Sequence, residues 1–534
     1  MNKTVFPVVA AGAVLLGLAF RLAWLDLRPM HHDEANQAVR FGRLLETGEY
    51  RYDRNDHHGP TLYYLTLPAA WARGQERLAS LDEWTLRLAP ALFGAGFIAL
   101  LPLMARGLGR SAAAAAAVLA ALSPALTYYS RFYIQEPLLL FFVAGFLIAL
   151  GRQLAGGGVT SAAVAGACAG LALATKETAA PILGVAVLSG VIARATLARS
   201  GGGEGLAADR PWPPTYLAHV VGGVVVAAIV ALTLYSSFFT NWSGIPEAVR
   251  AAAVYAQRGV EAGTHAEPWA YYIRLLGGSA SGGVVWTESL VLVLAGGGAV
   301  LAWTKRTGGF WPRYLSLYSV VTLVAFSVVR YKTPWNLLPF YGGLVILAGI
   351  GAASLQASVG SRAGKAMLAI ALFAAGAQLG WQNWRANFRY PADPRNPYVY
   401  AQTTTDFLRL VTRVEGISAV HPERERMLVA VVAGPYEQWP LPWYLRRMTR
   451  VGYWPRASDA GTLDDAAVIV ASQENVAALD AALGDRYVSE FYGLRPNVLL
   501  TVYIERSLWD RFLAERGQSQ RLTVPPSQTV NLWD

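Results

Sequence analysis

The sequence predicts an α-helical integral membrane protein with an α/β domain at its C-terminal end. Three observations carry that prediction. Of 534 residues, 54% are hydrophobic and only 15% charged, where a soluble domain carries about a quarter charged. Apolar runs long enough to cross a bilayer recur as far as residue 384. Beyond about residue 385 the apolar runs shorten to strand length.

Taken in order, eleven runs qualify as spans: 5–25, 84–104, 112–129, 134–150, 159–175, 178–195, 217–238, 283–303, 314–329, 335–354 and 366–384. The first follows Lys3 but leads to Arg21 and Trp24 with no small-residue cleavage site, so it is read as an uncleaved anchor. With the N-terminus in the cytoplasm, the short inside loops hold Arg106 and Arg110, then Arg152, then Arg194, Arg199 and Arg210, then Lys305, Arg306 and Arg313, and finally Arg362 and Lys365. Each is basic, as the positive-inside rule requires. This explains much of the net charge of +10 without invoking nucleic acid, for which a continuous basic stripe beside stacking aromatics is needed.

The tail supplies strand-like runs at 427–433, 466–472 and 498–505, and a helix "NVAALDAAL" with Ser472 as its N-cap and Gly484 as its stop. Residues 1–385 are therefore assigned to a membrane domain and 386–534 to an α/β domain outside the bilayer. A Gly- and Pro-rich stretch at 200–214 reads as a connector. Cys168 is the single cysteine, so no intramolecular disulfide exists.

This orientation gathers the remaining ionisable residues on the outer side. The long first outer loop, 26–83, opens with "HHDEA"; "SRFYIQE" (130–136), "TKET" (175–178) and "RYKTPW" (330–335) follow. Charged groups at a membrane are costly unless they face protein or water, which makes them functional candidates. Asp33 and Glu34 are read either as a catalytic pair or as the N-cap and first-turn acid of an amphipathic helix. Glu136 is read as sharing a cavity with Asp33 or as the ion-pair partner of Arg131. Lys176, Arg330 and Lys332 are cations suited to a phosphate, or else interfacial anchors. Carboxylates and cations together suit transfer from a lipid phosphate: a carboxylate takes the acceptor proton, and cations stabilise the departing phosphate.

The combination of "HHDEA", "HHGPTLYYL" (57–65), "SRFYIQEPLLLFF" and "YKTPWNLLPF" resembles the membrane glycosyltransferases of the GT-C superfamily. It is similar to the branch of protein O-mannosyltransferases and the lipid A aminoarabinose transferase, and within it to a prokaryotic family called flippase-activity-associated. The resemblance covers about residues 1–385. It implies a sugar donor linked to polyprenyl phosphate, an inverting reaction, and an acceptor hydroxyl on a protein, lipid or glycan outside the cytoplasm of a cell or inner membrane. It assigns Asp33 as general base, Glu34 as completing that motif, and Glu136 as the second-loop acid. Lys332, with Arg330, Lys176 and Arg131, would hold the donor phosphate. The sequence departs from oligosaccharyltransferases in having no "WWDYG", which disfavours en bloc transfer to asparagine.

His58, in a turn, is expected at the sugar or phosphate, with Tyr63, Tyr331 and Trp335 as further substrate contacts. No cofactor is required. A divalent cation is left open, with His32 and Glu34 as its candidate ligands, although His31, His32, His57 and His58 match no zinc spacing. Trp439 and Trp443 would stack on a sugar if the tail holds the acceptor, or pack as ordinary interior aromatics. Two other readings stand beside the enzyme: a translocator of lipid-linked sugar, and an accessory subunit that presents it.

Overall fold

The computed structural model describes residues 1–53, 58–199, 214–260, 265–304 and 309–523. His57, Arg210, Lys305, Arg306 and the connector up to residue 213 lie outside the described residues. Two compact units are present: Met1–Leu27 with Arg40–Tyr400, and Arg28–Val39 with Ala401–Asp534. The second unit thus begins fifteen residues later than the boundary expected at 385/386 and also takes a short piece of the first outer loop.

In the first unit a helix occupies each place where a span was expected. Among the described residues, seven helices are long and apolar enough to cross a membrane: Val5–Leu22, Glu83–Leu108, Glu136–Leu154, Ala179–Ala198, Tyr216–Tyr235, Pro334–Ser358 and Arg362–Arg389. Val159–Leu173 and Ser289–Leu301 are shorter, and Phe310–Val328 is less apolar than these. The run at 112–129 is not one straight span. Ser123 precedes Pro124, whose ring disfavours helical geometry in the residue before it. Ser123 is extended, its hydroxyl accepts from the Leu126 N–H, and Arg110–Leu122 meets Pro124–Ser130 at 60°.

Burial identifies the centre of this unit. The spans in Pro334–Ser358 and Glu136–Leu154 are 89% and 78% buried, against 6% for both Tyr216–Tyr235 and Arg362–Arg389. The latter two turn apolar side chains outward, as lipid-facing helices do. Backbones approach closely where small residues permit it: a Cβ at Gly351 would lie 2.0 Å from the Leu294 carbonyl oxygen. A hairpin, β1 (Ser279–Ser281) and β2 (Val284–Trp286), lies between helices.

The second unit is built on a five-stranded sheet. Its strands are β3 (Leu428–Val432), β4 (Arg450–Trp454), β5 (Val468–Ser472), β6 (Tyr487–Arg495) and β7 (Val498–Glu505), in the order β4-β3-β5-β7-β6. β3 runs parallel to β4 and β5, while β7 is antiparallel to both β5 and β6. The central strands β3 and β5 are covered on both faces, which is why they read as unbroken apolar runs. On one face Phe407, Leu410, Val414 and Leu508 pack with Val429, Val431 and Val502; on the other, Leu479 and Leu483 pack with Ile469 and Tyr503. Val476–Leu483 begins after Asn475, three residues beyond the expected cap at Ser472, because a 3-10 turn at Gln473–Asn475 intervenes; Gly484, at φ 54°, ends it. The piece from the first outer loop is stitched on by backbone contacts. Tyr444 Oη accepts from the Met30 N–H at 2.9 Å, Gln402 donates to the Pro29 carbonyl at 2.8 Å, and Thr403 donates to the Met30 carbonyl at 2.7 Å.

Candidate active site

Of the seven long apolar helices among the described residues, the two most buried begin at the same polar cluster. Glu136 is the first residue of Glu136–Leu154, where the helix N-terminus favours an acid. Its carboxylate pairs with the Lys176 ammonium, both side chains being almost wholly buried. Lys176 also donates to Asn336 Oδ1 at 3.1 Å, from the 3-10 turn that opens Pro334–Ser358. The outer segments 130–136 and 175–178 thereby meet through side chains, joined by Asn336, the residue after "RYKTPW".

Arg131, expected beside Glu136 or at a phosphate, is used elsewhere. The end of Val5–Leu22 leaves carbonyls without helical partners, and the Arg131 guanidinium donates to those of Phe20 (2.9 Å), Arg21 (3.2 Å), Ala23 (2.5 Å) and Trp24 (2.7 Å). It also lies over the Phe388 ring at 4.8 Å. These contacts make it a clamp on the first helix and correct the expected Arg131–Glu136 pair, since Lys176 is the partner of Glu136.

A second polar pair starts from the residue after Lys176. Glu177 Oε2 lies 2.7 Å from His58 Nδ1, and Tyr52 donates to Glu177 Oε1 at 2.7 Å. Tyr255 Oη lies 3.3 Å from the same His58 nitrogen. Burial pushes Glu177 up, but the adjacent His58 and the hydrogen bonds from His58 and Tyr52 prevail and hold it below the usual carboxylate range. The turn carrying His58 sits directly on the 174–175 backbone: the Thr61 N–H and hydroxyl donate to the Ala174 carbonyl, and the hydroxyl also reaches Thr175 Oγ1 at 2.7 Å. Only glycine fits at position 59, where a Cβ would lie 2.1 Å from the Ala174 oxygen.

The "RYKTPW" residues separate. Lys332 is buried, with its ammonium donating to the Glu267 carbonyl at 2.9 Å and to that of Val329. Arg330 is exposed. Tyr331 is partly exposed, its ring 4.9 Å from that of His265, and Trp335 packs edge-on against Tyr400 at 5.7 Å. Tyr63 is fully buried against Tyr50, ring centroids 5.0 Å apart. Lys332 and Lys176 therefore have different partners.

Asp33 and Glu34 lie in the second unit, at the start of His32–Thr47. The N-cap is His31 and not Asp33: His31 Nδ1 accepts from the Asp33 N–H at 3.0 Å, and Glu34 Oε2 accepts from the His31 N–H at 3.0 Å. This reciprocal arrangement has the logic of a capping box. It engages one oxygen of the buried Glu34 carboxylate with the backbone, whereas the Asp33 side chain is 44% exposed. Among the described residues no group of three or more His, Cys, Asp or Glu side chains is placed to hold an ion.

Sequence reasoning passed over three participants. Glu177 and Asn336 each adjoin or lie close to a chosen cation, and the signal was available: a carboxylate or amide in the same outer turn. Glu288 gave no such signal, standing alone before an apolar run. It is fully buried and accepts from Ser123 Oγ (2.7 Å), the Ala125 N–H (2.8 Å), Tyr398 Oη (2.7 Å) and Tyr341 Oη, pinning the bend between Arg110–Leu122 and Pro124–Ser130.

Residues 67–202 match the family described as dolichyl-phosphate-mannose-protein mannosyltransferase. No curated protein matches the sequence. Among solved structures, ArnT from Cupriavidus metallidurans in the apo state superposes with a TM-score of 0.64 at 17% identity, covering 95% of this chain and 99% of ArnT. The same ArnT bound to undecaprenyl phosphate gives 0.63 at 16% identity with the same coverage. The chain has the GT-C fold. The oligosaccharyltransferase AglB from Archaeoglobus fulgidus, in complex with an inhibitory peptide and a dolichol-phosphate, shares this GT-C fold at a TM-score of 0.55 and 13% identity, over 95% of this chain and 77% of AglB. With its GT-C fold and apolar helices, the protein is a multi-pass membrane protein.

Proposed function

We propose that the protein is a glycosyltransferase that moves a sugar from a polyprenyl-phosphate donor to an acceptor hydroxyl on the extracytoplasmic side of a cell or inner membrane. The observation that carries this reading is the superposition on ArnT along nearly the whole of both chains, joined to the mannosyltransferase match at 67–202. ArnT binds undecaprenyl phosphate and AglB a dolichol-phosphate, and both are polyprenyl phosphates.

In the proposed reaction Asp33 takes the proton of the acceptor hydroxyl. The acceptor oxygen attacks the anomeric carbon, and the bond from that carbon to the phosphate oxygen breaks with inversion. The electron pair stays with the polyprenyl phosphate, which leaves as an anion and needs no general acid. Asp33 suits the task because its carboxylate is half-exposed while Glu34 maintains the helix start. Glu136 holds Lys176 in place, and Lys176, Lys332 and the exposed Arg330 supply positive charge for the donor phosphate. His58, Tyr331 and Trp335 are the remaining proposed donor contacts.

The test is sugar transfer by the purified protein in lipid nanodiscs, with a panel of polyprenyl-phosphate sugars and cell-envelope extract as acceptor source. Transfer by the wild type, lost at least 100-fold in a folded Asp33→Asn variant, is the expected result. Movement of lipid-linked sugar across the bilayer with no transfer to any acceptor would overturn it in favour of a translocator.

A further inference from the structure

The sheet of the second unit has a feature that directs ligands in α/β proteins. β4 lies on one side of β3, and the next strand, β5, lies on the other. Beyond β5 the chain moves on past β7 to β6, so the connections leaving the carboxyl ends of the adjacent parallel strands β3 and β5 diverge, which opens a crevice where small molecules bind in open sheets of this kind. Strand direction brings a third end to the same edge: β6 is antiparallel to β7, which is antiparallel to β5, so β6 also ends there.

The residues at that edge are half-buried and chemically distinctive. Beyond β3 comes "GPYEQWP", with Tyr436 70% exposed and Trp439 partly so. His32, next to Asp33, packs its ring 5.9 Å from Trp439 and 6.3 Å from Tyr436. Arg495, the last residue of β6, donates to the Tyr436 carbonyl at 3.0 Å. Burial lowers Arg495, and the opposing pull of Glu437 and Asp33 places both carboxylates within its field. Glu437 folds back over Gly434, where a Cβ would lie 2.6 Å from its carboxylate and 3.5 Å from that of Glu474, at the end of β5. Asn475 ties the strand ends together, donating to the carbonyls of Val432 and Pro455 and accepting from the Ala457 N–H.

We propose that this edge, formed by Tyr436, Trp439, Glu437 and Arg495 beside His32 and Asp33, binds a carbohydrate, so that the acceptor hydroxyl belongs to a glycan. The identification as acceptor rests on the transferase reading above. A sugar ring offers an apolar face of C–H groups, which suits an exposed Trp or Tyr ring. Around its rim each hydroxyl both donates and accepts, and a carboxylate beside a guanidinium satisfies both functions with charge-assisted bonds. Trp443, the other tryptophan singled out by sequence, does not belong to this surface: it is fully buried, with the Arg446 guanidinium 3.8 Å over its ring.

The experiment is saturation-transfer NMR on the full-length protein in lipid nanodiscs free of glycoside detergent, using methyl glycosides of mannose, glucose, galactose and rhamnose and their disaccharides. Saturable transfer to at least one glycoside, reduced at least tenfold in Trp439→Ala and Tyr436→Ala and retained in Trp439→Phe, is the expected outcome. No transfer from wild type to any glycoside, or equal transfer from Trp439→Ala, overturns the inference. Sugar transfer to envelope extract is measured on the same samples. Unaltered acceptor KM in Trp439→Ala with active wild type would remove the glycan site and leave the transferase standing, whereas glycoside binding without transfer by wild type would do the reverse.

Discussion

His58 Nδ1 lies 2.7 Å from Glu177 Oε2, on a carboxylate whose side chain is only 5% exposed. A buried carboxylate is tolerated when it is paired and hydrogen-bonded, and Glu177 has both, from His58 and from Tyr52.

Because Glu177 is held below the ordinary carboxylate range, its stabilising contribution is complete above that range and disappears as acid carries it through its lowered folded value. At pH 7 a Glu177→Gln variant is expected to be about 2 kcal/mol less stable than wild type, the scale of hydrogen bonds to a charged group. The difference should begin to shrink as the pH falls through about 4, where the unfolded chain takes up the proton, and vanish below the lowered folded value, where the carboxylate is protonated in both states. Thermal melts in nanodiscs across pH check this; a difference independent of pH would show that the pair contributes nothing through its charge.

Glu136 and Lys176 are expected to behave as a unit. Lys176→Met leaves a buried carboxylate uncompensated and should cost about 3 to 5 kcal/mol, while adding Glu136→Leu should restore much of that loss. A double-mutant cycle measures the coupling. Strictly additive losses would mean that the two side chains do not depend on one another.

The two acids of "HHDEA" should separate cleanly. Glu34→Ala removes the acceptor for the His31 N–H and should lower stability by about 1 kcal/mol, as loss of a helix cap does. Asp33→Asn should leave the melting temperature within error and abolish sugar transfer. Retained transfer in Asp33→Asn would remove Asp33 from the role of base.

Gly59→Ala places a methyl group 2.1 Å from the Ala174 carbonyl oxygen. The turn must then lift off the 174–175 backbone, at a cost of about 1 to 3 kcal/mol. The same displacement moves His58 from Glu177, so the variant should also lose the pH-dependent share of stability seen in the Glu177 series. A wild-type pH profile in Gly59→Ala would show that the close approach does not position His58.

Hydropathy made the membrane unit legible, since each apolar run falls on helix among the described residues, although only seven of those helices are long and apolar enough to cross a membrane, and it failed at 112–129 because an average over a window does not see the bend that Pro124 forces after Ser123. The apolar strands β3, β5 and β7 were readable from composition. β4, "RVGYW", and β6, "YVSEFYGLR", were not, because edge strands alternate polar and apolar residues and have only one paired side. Among site residues, Glu136 and Lys176 were each singled out by reasoning about charge at the outer ends of helices, but their pairing was not read from the sequence, which offered Arg131 as the partner of Glu136. The partner of Arg131 could not be foreseen, since carbonyls at a helix end carry no sequence signature. Nor could the grouping of residues 28–39 with a unit that resumes at residue 401, which depends on contacts distant in sequence.

That grouping also bears on time. The carbonyl of Pro29 is bound by Gln402, 373 positions along the chain. At ribosomal speeds of about 5 to 20 residues per second, about 20 to 75 seconds pass before the segment carrying Asp33 meets the residues that fasten it. During that interval the nascent helices can enter the bilayer while the acidic segment is still unmoored. A polypeptide stopped short of residue 402 would carry Asp33 without these anchors, so the proposed base is fastened only after synthesis has passed the last span.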